Sequence, residues 1–274
     1  MTETREPPDR LVFDMPDDDY RSARGFSQSA AKTILDCAAR YEWQRNTPQE
    51  PRDAFDFGHV VHAMTLGAGA NYVRLNYSDR RTSAYKEAAK AAREEGFVPL
   101  VAAAFDAARA AADSVLAHPL AGPLLTRPGW SEVSGFWSDE ATGRRCKMRV
   151  DRLTILPDGT HLLMDVKTIS GKAAPDSFAR HAADFGYHVQ QAAYEAGYRK
   201  ITGVEQVEFL FVAVEVKPPH FVGVYGLSRE DVEDGWSAWR RAIDEDAACT
   251  AAGSWPGYTD AEPTTLRLPA WHVR

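Results

Sequence analysis

The sequence predicts one α/β (equally α+β) domain with a mixed central sheet flanked by helices. Three observations carry this reading. Residues 27–118 are dominated by helical patterns. Residues 131–168 change to alternating and apolar runs around a tight turn, which reads as an antiparallel meander. The long amphipathic stretch 176–200 then separates that meander from a further apolar run, 206–216, as a crossover helix would before a buried strand.

The elements run in order along the chain. Residues 1–25, rich in Pro, Asp and Arg, are expected to be a flexible lead-in. That leaves 26–274 as a single folded domain. The stretch 27–46 predicts one helix, capped by Ser27 or Ser29, with Ile34, Leu35, Ala38 and Tyr41 on one face. A second helix runs over 54–67 with Gly67 as its stop. Residues 84–95 and 99–118 are Ala-rich helices, and Pro119, Pro123, Pro128 and Gly129 punctuate the connection to the first strand. Strands are expected at 131–137, 145–156, 160–168, 206–216 and 221–226, with a helix at 228–250 and an irregular aromatic tail.

Composition narrows the function classes. The formal net charge of −7 does not advertise nucleic-acid binding, so any such role needs a local basic channel or bridging cations. Cys37, Cys146 and Cys249 are far apart and form no CxxC, which argues against a zinc ribbon and for a reducing, cytoplasmic setting. The first residues lack the apolar core of a signal peptide, and no run of about 18 apolar residues suggests a membrane span.

The informative stretch is 149-RVDRLTILPDGTHLLMDVKTISG-171. Pro157-Asp158-Gly159 suits a three-residue hairpin loop, with Gly in the left-handed third position. That loop sets Leu156 opposite Thr160, Asp151 opposite Asp165 and Arg149 opposite Lys167. Directly opposed residues hold their Cβ atoms roughly 4.5–5.5 Å apart, so the two carboxylates repel unless something answers them. A hard divalent cation such as Mg²⁺ would, because it takes oxygen ligands at about 2.0–2.1 Å and keeps several waters. Lys167 shares their face and lies where it could orient a water. For an arbitrary D-x-K on a strand, solvation or simple neutralisation is the better explanation. Here the opposite face of the strand (Leu162, Met164, Val166) is apolar, so the strand is packed. Other polar residues are weaker signals. A lone helical His such as His62 is more often structural, Glu132 alone reads as an edge charge, and Gln190 with Tyr194 merely shares a helix face.

Taken together these residues resemble the PD-(D/E)XK nuclease superfamily, its RecB-type branch, and most closely the RecE-type (exodeoxyribonuclease VIII-like) exonuclease domain of phages and prophages. The matching motifs are Gly58-His59-Val60-Val61-His62, an upstream Glu132, Arg149-Val150-Asp151, Asp165-Val166-Lys167, and Tyr187-His188-Val189-Gln190 through Tyr194. Ser29 to Lys32 and the tail segments Trp255–Tyr258 and Leu268–Trp271 agree with it. D-x-K alone is weak; the ordered series is far more specific. The resemblance implies a restriction-endonuclease-like core and metal-dependent hydrolysis of DNA. It implies His62, Asp151, Asp165 and the Val166 carbonyl as ligands of Mg²⁺, with Mn²⁺ as a substitute, and Glu132 as a direct or water-mediated ligand. Lys167 would position the attacking water, and Gln190 and Tyr194 would orient Lys167 or the DNA. Cys37 stands where iron–sulfur relatives place their first cluster cysteine, but its companions are missing, so no cluster is expected.

Arg144, Arg145, Lys147, Arg149 and Arg152 crowd the hairpin and are candidate DNA contacts; Lys172, Arg180, Arg199 and Lys200 are weaker ones. By resemblance the substrate is the end of linear double-stranded DNA, digested 5′-to-3′ in recombination by strand annealing. Partners would be a RecT-type annealing protein and further copies of the chain in a trimeric or tetrameric ring, in the cytoplasm of a bacterial host. Two alternatives stay open: an endonuclease or other end-processing nuclease of the RecB type, and a catalytically silent DNA-binding or assembly module. The intact series of acids and lysine argues against the second.

Overall fold

Pairing begins almost at the start of the chain. In the computed structural model, which describes residues 8–47, 53–260 and 262–268, strand β1 (Arg10–Val12) lies antiparallel on the edge of the main sheet. Helices α1 (Asp17–Ser22), α2 (Gln28–Asp36), α3 (Ala38–Asn46) and α4 (Asp53–Leu66) come next. A small parallel sheet, β2 (Asn71–Leu75) with β3 (Phe97–Val101), encloses α5 (Ser83–Glu94). After α6 (Ala102–Ala117) and α7 (Ala121–Thr126) come the meander strands β4 (Gly129–Ser138), β5 (Arg145–Ile155) and β6 (His161–Ile169). Helices α8 (Pro175–Asp184) and α9 (Tyr187–Thr202) cross over to β7 (Val207–Glu215), then β8 (Val222–Tyr225) and α10 (Arg229–Ala252).

The six strands stand in the order β1-β4-β5-β6-β7-β8. Only β6 and β7 are parallel, which is why a helical crossover must join them. The sheet is covered on both faces. One apolar cluster joins Leu153, Leu163, Phe211 and Trp239 to α2, α9 and α10. The other joins Leu162, Met164 and Val212 to Val60 and Val61 of α4 and to α6. The mixed, helix-flanked sheet expected from the sequence is therefore present. Among the described residues no helix is long and apolar enough to cross a membrane.

Three expectations need correction. The segment over 10–22, expected to be a mobile lead-in, contributes β1 and α1; residues 1–7 lie outside the described residues. The helix expected over 27–46 is two, because Cys37 takes an extended conformation (φ −166°, ψ 118°), although Ser27 does cap the first by accepting the Ala30 N–H at 3.3 Å. The helix expected over 176–200 is also two. Phe185 ends α8 and Gly186 starts α9 in the left-handed region (φ +61°). A Cβ there would meet Lys32 Cδ at 2.8 Å, so the break is built for glycine. The aromatic tail is irregular, as expected; Trp255 is half-buried against Arg45, and Tyr258, itself exposed, lies by Arg40, both arginines on α3. Trp271 lies outside the described residues.

Candidate active site

The site forms where the β5–β6 hairpin forks. Its three-residue loop is as expected, with the Leu156 N–H donating to the Thr160 carbonyl at 2.9 Å and the Thr160 N–H to Asp158 Oδ1 at 2.9 Å. Four residue pairs lie beyond the loop, from Ile155 opposite His161 to Arg152 opposite Met164. The ladder then stops. Past that point β5 continues on β4, and β6 continues on β7. Asp151 and Asp165 are the next positions in the expected register, but they sit at the fork and not inside the ladder. The Asp151 carboxylate takes the place of a strand partner, Oδ2 accepting the Val166 N–H at 2.7 Å. The β4–β5 pairing also skips one position, Glu132 beside Asp151, and Glu132 has a left-handed backbone (φ +54°). Such a conformation in a residue with a long side chain costs free energy and tends to persist at functional sites.

Helix α4 brings His62 to both skipped residues. Its approach depends on Gly58, where a Cβ would meet Thr168 Oγ1 of β6 at 3.1 Å. His62 Nδ1 lies 3.1 Å from Glu132 Oε1, and Nε2 touches Asp151 Oδ2. Burial disfavours charge on this imidazole, but Asp151 and then Glu132 outweigh it and raise the pKa to about 10. Asp151 itself is pushed up to about 6 by burial and then by the charge of Asp165, against the pull of His62. Glu132 is held below the usual carboxylate range: burial opposes this, but His62 and Arg149 prevail, and Arg149 Nε lies 2.6 Å from Oε2.

Asp165, Lys167 and Gln190 form a closed triangle. Lys167 Nζ lies 2.6 Å from Asp165 Oδ2 and donates to Gln190 Oε1 at 3.0 Å, while Gln190 Nε2 donates to Asp165 Oδ1. Burial works against the Lys167 charge, and Asp165 more than offsets it. Gln190 reaches down because the break at Gly186 aims the first turns of α9 at β6. Tyr194, expected to orient Lys167 or DNA, is buried edge-on against Phe209, and its hydroxyl is pushed well above its usual pKa by burial and then by Tyr20, Asp165 and Asp151. The ring beside Lys167 is Tyr187, 4.7 Å from Nζ. Its signal was present as the Tyr-His that precedes Gln190. Lys32 also stands nearby, donating to the Phe185 carbonyl at 2.9 Å, and is pushed down to about 8 by burial and by the charge of Lys167.

The cationic cluster expected on the hairpin is used inside the fold. Arg144 pairs with buried Asp246 at 2.5 Å, and Arg145 with Asp9 at 2.9 Å. Lys147 donates to the carbonyls of Tyr20, Arg21 and Ala23. Arg149 spans Glu132, Asp17 and the Met15 carbonyl. Arg152 donates to Ser131 Oγ and the Arg127 carbonyl. Arg145, Lys147 and Arg149 fasten the N-terminal segment to β5, Arg152 ties β5 to β4, and Arg144 holds α10, so all five are poorly placed to contact DNA. Arg199 and Lys200 pair with Glu195 and Glu140, while Lys172 and Arg180 are exposed. The cations that line the cleft are others, Arg21 and Arg80 beside Lys167. That cleft has a volume of about 890 Å³ and is also lined by His62, Glu132 and Tyr187.

Among the described residues, no three His, Cys, Asp or Glu side chains are already arranged as a metal cage. The acids are paired instead with His62, Arg149 and Lys167. The donor set nonetheless fits a hard divalent cation. Asp151, Asp165 and Glu132 supply oxygen ligands, the repulsion between Asp151 and Asp165 is of the kind a cation relieves, and buried Asp165 Oδ2 has no hydrogen-bond partner apart from its ion contact with Lys167.

Comparison with known proteins agrees with this architecture. Residues 27–263 match a family described as a PDDEXK-like domain of unknown function (DUF3799). Among solved structures, a "putative exonuclease" from Eubacterium rectale superposes with a TM-score of 0.61 at 15% identity, covering 94% of this chain and 96% of its own. The structure of SSO0001 covers 79% of this chain and 84% of its own at 13% identity, but its TM-score of 0.31 supports no argument. No curated protein sequence matches the chain. With its fork of Asp151, Asp165 and Lys167 on a mixed sheet, and a match over almost its whole folded length, the chain belongs to the PDDEXK-like family.

Proposed function

We propose that the protein is a metal-dependent deoxyribonuclease that hydrolyses phosphodiester bonds from the ends of linear double-stranded DNA. The observation that carries this reading is the convergence of Asp151, Asp165, Lys167 and Gln190 at the hairpin fork, with His62 and Glu132 beside them in one cleft. The name of the Eubacterium rectale neighbour supports the exonuclease form of the reading.

Asp151, Asp165, Glu132 and the Val166 carbonyl would hold Mg²⁺ or Mn²⁺, and His62, whose ring nitrogens here contact Glu132 and Asp151, would join them only as the neutral imidazole. When bound, the cation supplies charge neutralisation at the phosphate and a water of lowered pKa. Lys167 orients that water and places a positive charge where negative charge builds up on the phosphoryl oxygens. Gln190 fixes the Lys167 ammonium and the Asp165 carboxylate relative to each other, so neither must reorganise during the reaction. Arg80 and Arg21, the latter paired with Asp17 at 2.6 Å, place cationic groups in the cleft of a chain whose overall balance is −7. By family resemblance the digestion runs 5′-to-3′, serves recombination through a RecT-type annealing partner, and takes place on a trimeric or tetrameric ring.

The test is Mg²⁺-dependent digestion of a linear duplex labelled at one defined end, beside a covalently closed circle of the same sequence. The proposal expects label released progressively from the linear substrate and an intact circle. Cutting of the circle would replace the exonuclease reading with an endonuclease. No cutting of either would leave a silent module.

A further inference from the structure

At the mouth of the cleft one aromatic ring is left in water. Phe185 is 53% exposed, whereas Phe178 and Tyr187, its neighbours on α8 and α9, are buried. Isolated exposed rings need no explanation, but this one is not isolated. It lines the cleft together with His181 and Tyr187. Its centroid lies 4.3 Å from the His181 ring at an interplanar angle of 32°, and 6.2 Å from the Tyr187 ring. Tyr187 in turn carries Lys167 Nζ 4.7 Å from its ring centroid, and its hydroxyl is tied to His181 Nε2 at 3.1 Å. A row of rings therefore leads from solvent to the lysine of the site.

The backbone that presents Phe185 is fixed at several points. Its N–H donates to the His181 carbonyl at 3.0 Å, and its carbonyl accepts from Lys32 Nζ at 2.9 Å. The next residue, Gly186, is locked in the left-handed region with the Lys32 stem packed on it. An exposed ring on an immobile backbone surrenders little freedom when a ligand covers it, which favours binding.

A ligand that answers both the lysine and the ring must carry negative charge at one point and a flat aromatic face at another. A nucleotide does. We propose that Phe185, backed by His181, is a stacking platform for an unpaired nucleobase adjacent to the phosphate held at Lys167. This deepens and rests on the phosphodiesterase reading, and it names the substrate class: DNA whose bases are unpaired at the site, as a single strand or a frayed end. A base inside a duplex has both faces covered by its neighbours and cannot offer one to the ring.

The experiment compares wild type, Phe185→Leu and Phe185→Trp in Mg²⁺. Substrates are a single strand, a duplex frayed at its end by mismatches, and the same strands carrying abasic sites. Leucine keeps the apolar bulk and removes the π-face. The platform expects Phe185→Leu to raise KM on base-bearing unpaired DNA by roughly 5- to 150-fold, the range that stacking of one base supports, with kcat little changed. Phe185→Trp should restore KM. On abasic substrates wild type and Phe185→Leu should become equal. An unchanged KM for Phe185→Leu on every substrate that wild type cuts would overturn the platform and leave the nuclease reading standing. An equal loss on abasic DNA would also overturn it, since the defect would then be structural. If wild type cuts the fully paired linear duplex but none of these DNAs, the platform fails and the nuclease reading stands; if it cuts no DNA at all, both fail.

Discussion

Gln190 is fully buried, yet it is polar at both ends, and both ends are used. It donates to Asp165 and accepts from Lys167, so it holds together the two groups to which the proposed reaction assigns the chemistry. Replacing it by leucine keeps the volume and removes both bonds. Gln190→Leu is expected to lose about 1–3 kcal/mol of stability and about 10- to 100-fold in turnover, as loss of a supporting partner does, measured by urea denaturation and digestion rate. A leucine variant as active as the parent would make Gln190 a packing residue. Most of this centre was legible in the sequence, because strand alternation and turn chemistry are local rules: they put Asp151, Asp165 and Lys167 together without tertiary information. The role of Arg149 and Lys147 was not legible. Their partners are Glu132, Asp17 and the carbonyls of residues 15–23, which only the folded chain brings near. Tyr187 was visible as part of a motif, but nothing local says that its ring, and not that of Tyr194, meets Lys167.

At the scale of elements, helix breaks decide where these side chains point. The amphipathic patterns of 27–46 and 176–200 continue through Cys37 and Phe185–Gly186, so periodicity alone predicts unbroken helices. The short β2 and β3, set among Ala-rich helices, were likewise hidden. The break at Gly186 aims Gln190 at β6 and presents the Phe185 carbonyl to Lys32. Gly186→Ala would force a left-handed alanine, at about 1–2 kcal/mol, and drive its Cβ against Lys32. The variant should melt at lower temperature and digest DNA more slowly. An unchanged melting temperature would show that the turn tolerates a side chain. The hairpin loop has less authority than its residues suggest. Strand β5 is also held in register by β4, and β6 by β7, so the loop agrees with the fork but does not set it alone.

At the scale of the molecule, the N-terminal segment is a wall of the cleft. Asp17 and Arg21 line it, and Tyr20 is half-buried where the Lys147 ammonium and the Arg149 guanidinium pack on its ring at 4.8 and 5.1 Å. Burial pushes the Tyr20 hydroxyl well above its usual pKa. A chain starting at residue 26 would strip Lys147 of its carbonyls and Arg149 of Asp17, leaving buried cations underpaired. It is expected to be less stable by several kcal/mol and inactive, as judged by its urea midpoint and by digestion. Full activity in that truncation would restore the reading of a flexible lead-in outside the folded domain.

The central claim is that the fork of β5 and β6 hydrolyses phosphodiester bonds through Lys167. Its most direct test is the rate of linear duplex digestion in Mg²⁺ by wild type and by Lys167→Ala, each verified as folded by circular dichroism. The account expects the wild-type rate to vanish with a chelator and the variant to be slower by at least about 100-fold, the loss typical when a group that stabilises developing charge is removed. A Lys167→Ala protein that digests DNA at the wild-type rate would contradict it.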